Sequence, residues 1–356
     1  MDKIYIPGEW KSVADQIKSD TKICIIIGKN DSGKSTFCKF LVHYWTSSRI
    51  RVGYVDSDLG QSTIGLPTTV SVKVFNAPPR SVNHFDFTAL HFVGNTSPVG
   101  FLLQTLNATR LMVDKSYQHN AGITLVDTTG FIEGPVARTL KFHKIEMLRP
   151  QRIIALQADN EAEHLLKGYE KMGWRVTRLI RSKYVVAKSY SERQDYRAQK
   201  YKAYFKAARV KQCPLDNVVF PACILGTGKR VYSDELPEEF YTKTISYMEK
   251  CGSELLVVAD RFDTSVPFCK LKKMFGVTSI VWISRSDLRN LLVGLNDKDN
   301  STLGLGIITD LDPISKKLAL FTPVQDIHEI ATVHLGGLKI EKGERENGKI
   351  RVIQYV

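Results

Sequence analysis

KICIIIGKNDSGKST, residues 22–36, decides how the rest of the chain is read. Four consecutive apolar residues, Cys24 to Ile27, predict a strand buried on both faces, as in the middle of a parallel sheet. The run ends at Gly28, and Gly28, Gly33, Lys34 and Ser35 fit G-x-x-x-x-G-K-[ST], with Thr36 next. The glycines let backbone N–H groups of the loop, Lys29, Asn30, Asp31 and Ser32 included, turn toward an anion. The following helix, predicted over Phe37 to Trp45, adds the positive end of its dipole. Lys34 is placed to reach terminal phosphates, and the Ser35 hydroxyl to hold Mg²⁺. The bland alternative is a Gly/Ser turn before a helix, but the position between an apolar strand and a helix predicts a nucleoside triphosphate site.

The chain has 356 residues, with 43% hydrophobic and 24% charged residues, which is ordinary soluble globular composition and long enough for two or three domains. Its apolar runs fall short of a membrane span, and MDKIYIPGEW lacks the apolar core of a signal peptide. Six cysteines are scattered without a C-x-x-C pair, which argues against a zinc ribbon or a disulfide framework. An intracellular, soluble protein is expected. The net charge is +13, and 19 Lys and Arg face only 7 Asp and Glu between Arg138 and Lys211. Beside a nucleotide site, so concentrated an excess points to a polyanionic partner rather than a merely solvated face.

Outward from the loop, apolar strands alternate with helices. Trp10, Val13 and Ile17 share one face of a predicted helix over 8–19. Strands are expected at Val52–Val55, VSVKVF and ALHFVG (with a turn-rich 77–86 between the last two), GITLVDTTG, RIIALQA and WRVTRLI. Helices are expected over 99–118, 136–148 and EAEHLLKGYEKMG. The pattern predicts an α/β fold, a P-loop NTPase with a mostly parallel sheet flanked by helices, whose ligands sit at the carboxyl ends of the strands. SYSERQDYRAQKYKAYFKAARVK, 189–211, is read as one long basic helix, and NVVFPACILG, 217–226, as another strand. Beyond about residue 252 short β-like runs with Gly, Asn and Asp turns take over, with a helix around 266–275. The expected division is a P-loop domain over 1–252, with a lid helix at about 190–210, and a β-rich C-terminal domain over 253–356.

Asp56 and Asp58 follow a buried strand, where P-loop enzymes place the acid that holds Mg²⁺ directly or through water. Such a carboxylate can alternatively serve as general base to an attacking hydroxyl, or merely cap a turn. Asp127, Thr128, Thr129 and Gly130 end a later core strand, a usual place for a group that clamps the γ-phosphate. Arg193 and Arg197 stand four apart, hence on one helix face. Two guanidiniums there can stabilise charge on a phosphoryl in transfer, against the plainer reading of a solvated helix face.

GKNDSGKST, DSDLGQ, GNTSP (94–98), DTTG and RQDYR occur in an order that resembles the RNA 5′-hydroxyl polynucleotide kinases, a family that includes the mRNA 3′-end-processing and tRNA-splicing kinase, the nucleolar pre-rRNA kinases and archaeal homologues. The resemblance covers about 20–225. It implies a kinase that moves the γ-phosphate of ATP to the 5′ end of RNA, with DNA as a further acceptor. In that case Gly28, Gly33, Lys34, Ser35 and Thr36 bind ATP and magnesium. Asp58 orients or deprotonates the acceptor hydroxyl, and Gln61 sits near the metal-bound water. Thr128 and Gly130 form a clasp on substrate phosphate, with Thr129 between them, and Arg193 and Arg197 close as a lid. Asp31 lies where it can help hold the acceptor or the metal water. Phe131 follows the clasp where much of the family has Trp, and Asp56 stands where some members carry Glu. Two other readings compete. Lys29, directly after the first glycine, resembles the deviant loops of dimeric ATPase switches. A non-catalytic, ATP-bound scaffold of an RNA-processing complex, docked through the C-terminal domain, is the other.

Overall fold

The computed structural model describes residues 6–17, 21–79, 86–232, 245–341, 343–350 and 352–355. The chain forms two compact units, Met1–Lys200 and Tyr201–Val356. The change of texture at 252 falls inside the second of these, at a turn between two strands. The turn-rich stretch 77–86 and the end of the first predicted helix lie largely outside the described residues.

The first unit runs α1 (Gly8–Ile17), β1 (Ile23–Ile27), α2 (Lys34–Ser47), β2 (Val52–Ser57), β3 (Thr69–Phe75), β4 (Ala89–Phe92), α3 (Leu102–Gln118), β5 (Ile123–Thr128), α4 (Gly134–Leu148), β6 (Arg152–Gln157), α5 (Glu163–Lys171), β7 (Val176–Ile180) and α6 (Tyr190–Phe205), whose last residues belong to the second unit. Seven strands make one sheet in the order β4-β3-β2-β5-β1-β6-β7. Strands β2, β5, β1, β6 and β7 are parallel, and β3 and β4 extend the sheet antiparallel at one edge.

Alternation explains why β1 reads as an unbroken apolar run. Ile23, Ile25 and Ile27 pack on one face with α3, α4 and α5, through Met112, Val113, Ile145 and Leu166. Cys24 and Ile26 pack on the other, against Trp10, Phe37, Leu41 and Trp45 of α1 and α2. Each face therefore has its own core, and β1 has no solvent side. The order also sets the carboxyl ends of β1, β5 and β2 side by side, with Ile26 opposite Asp127 and Asp127 opposite Asp56.

The second unit contains β8 (Arg209–Pro214), β9 (Lys229–Val231), β10 (Ile245–Cys251), β11 (Glu254–Ala259), α7 (Phe268–Phe275), β12 (Ser279–Ser284), α8 (Arg285–Leu288), β13 (Leu291–Asn296), β14 (Thr302–Asp312), β15 (Lys317–Thr322), β16 (Thr332–Glu341), β17 (Arg345–Lys349) and β18 (Ile353–Tyr355). Among the described residues they form a five-stranded sheet, β18-β12-β11-β10-β9, and a six-stranded one, β17-β16-β13-β14-β15-β8. The β-rich C-terminal region is thus as expected.

Two local expectations are corrected. The basic helix ends at Phe205 rather than about 210, because Arg209–Pro214 pairs antiparallel with Lys317–Thr322. Residues 217–226 do not form a strand. Their backbone closes turns instead, Cys223 N–H to Phe220 O and Thr227 N–H to Ile224 O, and Pro221 has no N–H to give a ladder. Val218, Phe220 and Leu225 are nonetheless buried, and Val219 alone makes a parallel bridge with Thr332, donating to Ala331 O and accepting from Val333 N–H, each at 2.9 Å, so the apolar run reports burial with pairing at a single residue. Among the described residues no helix is long and apolar enough to cross a membrane.

Gly53 on β2 marks a close approach of sheet and helix. A Cβ there would stand 1.8 Å from Ser116 Oγ and 2.9 Å from Ser116 Cβ of α3. Gly53→Ala is expected to lower stability by about 1–3 kcal/mol through overpacking, as read from a denaturant midpoint with unchanged slope.

Candidate active site

The loop between β1 and α2 is held by close approach and by two residues of positive φ. A Cβ on Gly28 would lie 2.4 Å from the Leu156 carbonyl oxygen and 2.6 Å from Ser32 Oγ, so a side chain has no room there. Asp31 (φ 55°) and Gly33 (φ 89°) turn the chain through the left-handed region into the first turn of α2. Lys34 is buried, and its ammonium donates to Lys29 O at 2.7 Å. Burial lowers its proton affinity, opposed by the charges of Asp127 and Asp58.

The three carboxylates at the strand ends have three different environments. Asp127 is buried; its Oδ2 accepts the hydroxyls of Ser35 (2.6 Å) and Tyr54 (3.0 Å), while Oδ1 is buried without a partner. Burial raises its pKa, against the pull of Lys34 and the Ser35 bond. Asp56 is spent on the backbone. Its Oδ2 accepts Ser62 Oγ and the N–H groups of Thr63 and Ile64, and its Oδ1 accepts Asp58 N–H. Burial, then the charges of Asp127 and Asp58, push it up to about 7. Asp58 faces the cleft, with Oδ1 accepting Gly60 N–H and Gln61 N–H, each at 3.0 Å. Turn capping therefore engages both oxygens of Asp56 but only Oδ1 of Asp58, and Asp58 is the carboxylate of the pair that lines the cavity.

That cavity, about 610 Å³, is lined by Asn30 to Thr36, Asp58, Gln61, Arg193 and Tyr196, with Trp10, Lys39 and side chains between Ser182 and Lys188 completing it. Arg193 pairs with Asp31 through NH2 and Oδ2, and Gln61 Nε2 reaches Arg193 O at 3.4 Å. Arg197 is buried and does not line the cavity. Lys29 lies outside the lining, in an exposed ion pair with Glu133 at 2.8 Å. Thr128 is turned into the core, donating to Ile26 O (2.7 Å) and accepting from Lys141 Nζ (2.7 Å). Gly130 abuts the loop itself: a Cβ there would fall 2.0 Å from Asn30 Oδ1 and 2.4 Å from Asn30 N. Phe131 N–H contacts Thr129 Oγ1 at 3.4 Å, so the segment closes on itself.

The family described as mRNA cleavage and polyadenylation factor CLP1 P-loop matches residues 28–207, half of the chain, from the first glycine of the loop to just past α6. The chain belongs to that family. It is 31% identical over 330 residues to a polyribonucleotide 5′-hydroxyl-kinase of Methanocaldococcus jannaschii, covering 91% of this chain and 88% of that protein. A protein of the same description from Pyrococcus abyssi is 29% identical over 336 residues, with 94% and 92% covered. Among solved structures, the Clp1p–Pcf11p complex has a Clp1-type chain that superposes with a TM-score of 0.58 at 12% identity, covering 93% of this chain and 79% of that one, and so shares the fold.

In this CLP1-type P-loop unit, Asn30 to Thr36, Asp58, Gln61 and Arg193 come together on one cleft, and Gly130 meets Asn30. Gly28, Lys29, Thr128, Thr129 and Arg197 lie outside the lining of the cleft. Asp127, read at first only as a γ-phosphate clamp, is the carboxylate hydrogen-bonded to Ser35, a contact that only strand register creates. Trp10, Lys39 and the 182–188 segment gave no sequence signal beyond their surroundings. Of the basic excess, Lys141, Lys144, Arg197 and Lys200 are buried, and Arg178 is held between Glu163 and Glu170. Part of that charge is therefore internal.

Gly130→Ala is expected to push the loop off its seat. The expected result is a loss of nucleotide affinity of about tenfold or more, since sub-ångström displacement of binding groups is costly. Titration with a fluorescent ATP analogue reads it, with circular dichroism to check the fold.

Proposed function

We propose that this chain is an ATP-dependent polyribonucleotide 5′-hydroxyl kinase. The observation that carries the reading is that one cleft is lined by the phosphate loop, Asp58, Gln61 and Arg193 together. Its support is the kinase description borne by relatives aligned over nine-tenths of the chain.

In this reading the acceptor 5′-oxygen attacks the γ-phosphorus, and the β–γ bridging oxygen leaves with its electron pair as ADP. Asp58 already holds two N–H groups with Oδ1, and Oδ2 is the atom that orients the hydroxyl and accepts its proton. Loop N–H groups and Lys34 bind the phosphates, which requires Lys34 to leave Lys29 O for a stronger acceptor. Arg193 exchanges its Asp31 partner for the transferred phosphoryl oxygens. Asp31 then has a free carboxylate beside the loop, available to the acceptor.

The donor set suits magnesium: the Ser35 hydroxyl and the Asp127 carboxylate are hard oxygens, and Asp127 Oδ1 is buried with no partner. Ser35 and Asp127, with Asp58 directly or through water, would hold the ion, which when bound neutralises phosphate charge. Gly130 keeps a positional role through Asn30, and Thr129 one through its carbonyl, which accepts from Lys141. The β-rich second unit is assigned to docking of other RNA-processing components. The in-chain pair of Lys29 with Glu133 favours the kinase over a two-copy ATPase switch.

Incubation with γ-labelled ATP and a 5′-hydroxyl oligoribonucleotide is expected to label the RNA; no transfer with any of several divalent metals would sink the reading. Asp58→Asn is expected to lower kcat by about 10²- to 10⁴-fold while leaving ATP affinity nearly intact. Ordinary turnover in that variant removes Asp58 from the role given to it.

A further inference from the structure

Helix α4 carries two lysines, Lys141 and Lys144, one turn apart and on one face. Both side chains are fully buried, and neither lines the cleft. Burying an ammonium is costly unless its donors and charge are matched, so the partners are informative. Lys141 Nζ donates to Thr128 Oγ1 and to Thr129 O, each at 2.7 Å, and Thr128 Oγ1 passes the chain on to Ile26 O at 2.7 Å. Lys144 Nζ donates to Ser57 Oγ at 2.5 Å, and that oxygen shares a hydrogen bond of 3.0 Å with Thr109 Oγ1 of α3.

The residues these ammoniums hold are neighbours of the reacting groups in sequence. Ser57 stands between Asp56 and Asp58, Thr128 follows Asp127, and Ile26 is two residues before Gly28. A single helix face thus bonds to the carboxyl ends of β2 and β5 directly and reaches that of β1 through Thr128, and these strands carry the loop, Asp58 and Asp127. Burial, then the charges of Lys144 and Lys34, lowers Lys141 well below the ordinary lysine value, against the pull of Asp58 and Asp127. Burial brings Lys144 down to about 7, and the charges of Asp58 and Asp127 are what oppose the loss of its proton.

We propose that Lys141 and Lys144 are positioning residues for phosphoryl transfer, tying the ends of β1, β2 and β5 to α4 so that the phosphate loop, Asp58 and Asp127 keep one mutual geometry. This rests on the kinase reading above. Neither lysine touches substrate; each acts through a hydroxyl. The alternative is that only the apolar stems matter, as packing against the sheet. Methionine keeps the stem and removes the ammonium, which separates the two.

The test uses the full chain with γ-labelled ATP and a 5′-hydroxyl oligoribonucleotide, comparing wild type, Lys144→Met, Lys141→Met, Ser57→Ala and the Ser57→Ala/Lys144→Met double variant. Each lysine variant is expected to lose about tenfold to a hundredfold in kcat, the range seen when a supporting shell is removed. KM for ATP is expected to stay within about twofold, because the loop itself is intact. Ser57→Ala is expected to lose kcat in the same way. The double variant should be no slower than Lys144→Met alone, since both cut one link. Unchanged kcat in folded Lys144→Met, or losses that multiply in the double variant, overturns the proposal. If Lys144→Met does not fold, Ser57→Ala decides: it leaves the lysine in place, and unchanged kcat there is equally fatal. Wild type that transfers no label removes the kinase reading itself, whereas active wild type with unaffected variants removes only the role of α4.

Discussion

Asp56 and Asp127 sit directly opposite each other on adjacent parallel strands, both fully buried, and the polar organisation of the first unit follows from that pairing. Two buried carboxylates in register repel, and each loses its hydration, so neither persists without dedicated partners. Asp127 takes the hydroxyls of Ser35 and Tyr54 and feels Lys34. Asp56 takes a hydroxyl and three N–H groups, with the Lys200 charge as its main electrostatic relief. The pair is thereby divided: Asp56 becomes structural, fixing the 58–65 loop, and Asp127 keeps one oxygen free beside the loop serine. Asp58, whose Oδ1 alone caps the turn that follows, faces the cleft.

Lys200 extends the same logic. Its ammonium gathers the carbonyls of Ser62, Thr63 and Gly65, the loop whose N–H groups Asp56 collects. A cation on the C=O side and an anion on the N–H side of one short loop pin it from both directions. Tyr196, one turn earlier on α6, donates to Ser62 O at 2.8 Å as well. The helix bearing Arg193 is therefore anchored to the segment bearing Asp58 and Gln61, so the guanidinium and the carboxylate reach the cleft from parts that are hydrogen-bonded to each other.

Much of this was legible because it is local. Strand, loop and helix over 22–47 are dictated by a short apolar run, three special backbone positions and a helix start, all within one stretch. The carboxylates of DSDLGQ were legible as a pair but not as two fates, since what separates them is the partner strand β5, some seventy residues on. The role of Asp127 at Ser35 was hidden for the same reason. Arg209–Pro214 looked helical because its own composition continues the basic pattern of α6; its strand state is imposed by β15, about a hundred residues away. Buried lysines are the hardest class, since Lys141, Lys144 and Lys200 read by type as surface charge.

That last point alters what the basic stretch 138–211 means. As a surface field it would act on a polyanion in a salt-dependent way. With Lys141, Lys144, Arg197 and Lys200 buried, and Arg178 neutralised by two glutamates, several of its charges instead face inward. An internal cation and an external one have opposite consequences. External ones would attract a polyanion and are screened by salt, whereas internal ones lie among the carboxylates of the site and are screened much less. Arg193 lies between these cases: part-buried and paired with Asp31, it is shielded until a more highly charged anion competes for it. A triphosphate in the loop is such an anion, and its arrival would free Asp31 at the moment the guanidinium turns to the phosphates, so that one ion pair links nucleotide binding to the acceptor side of the cleft.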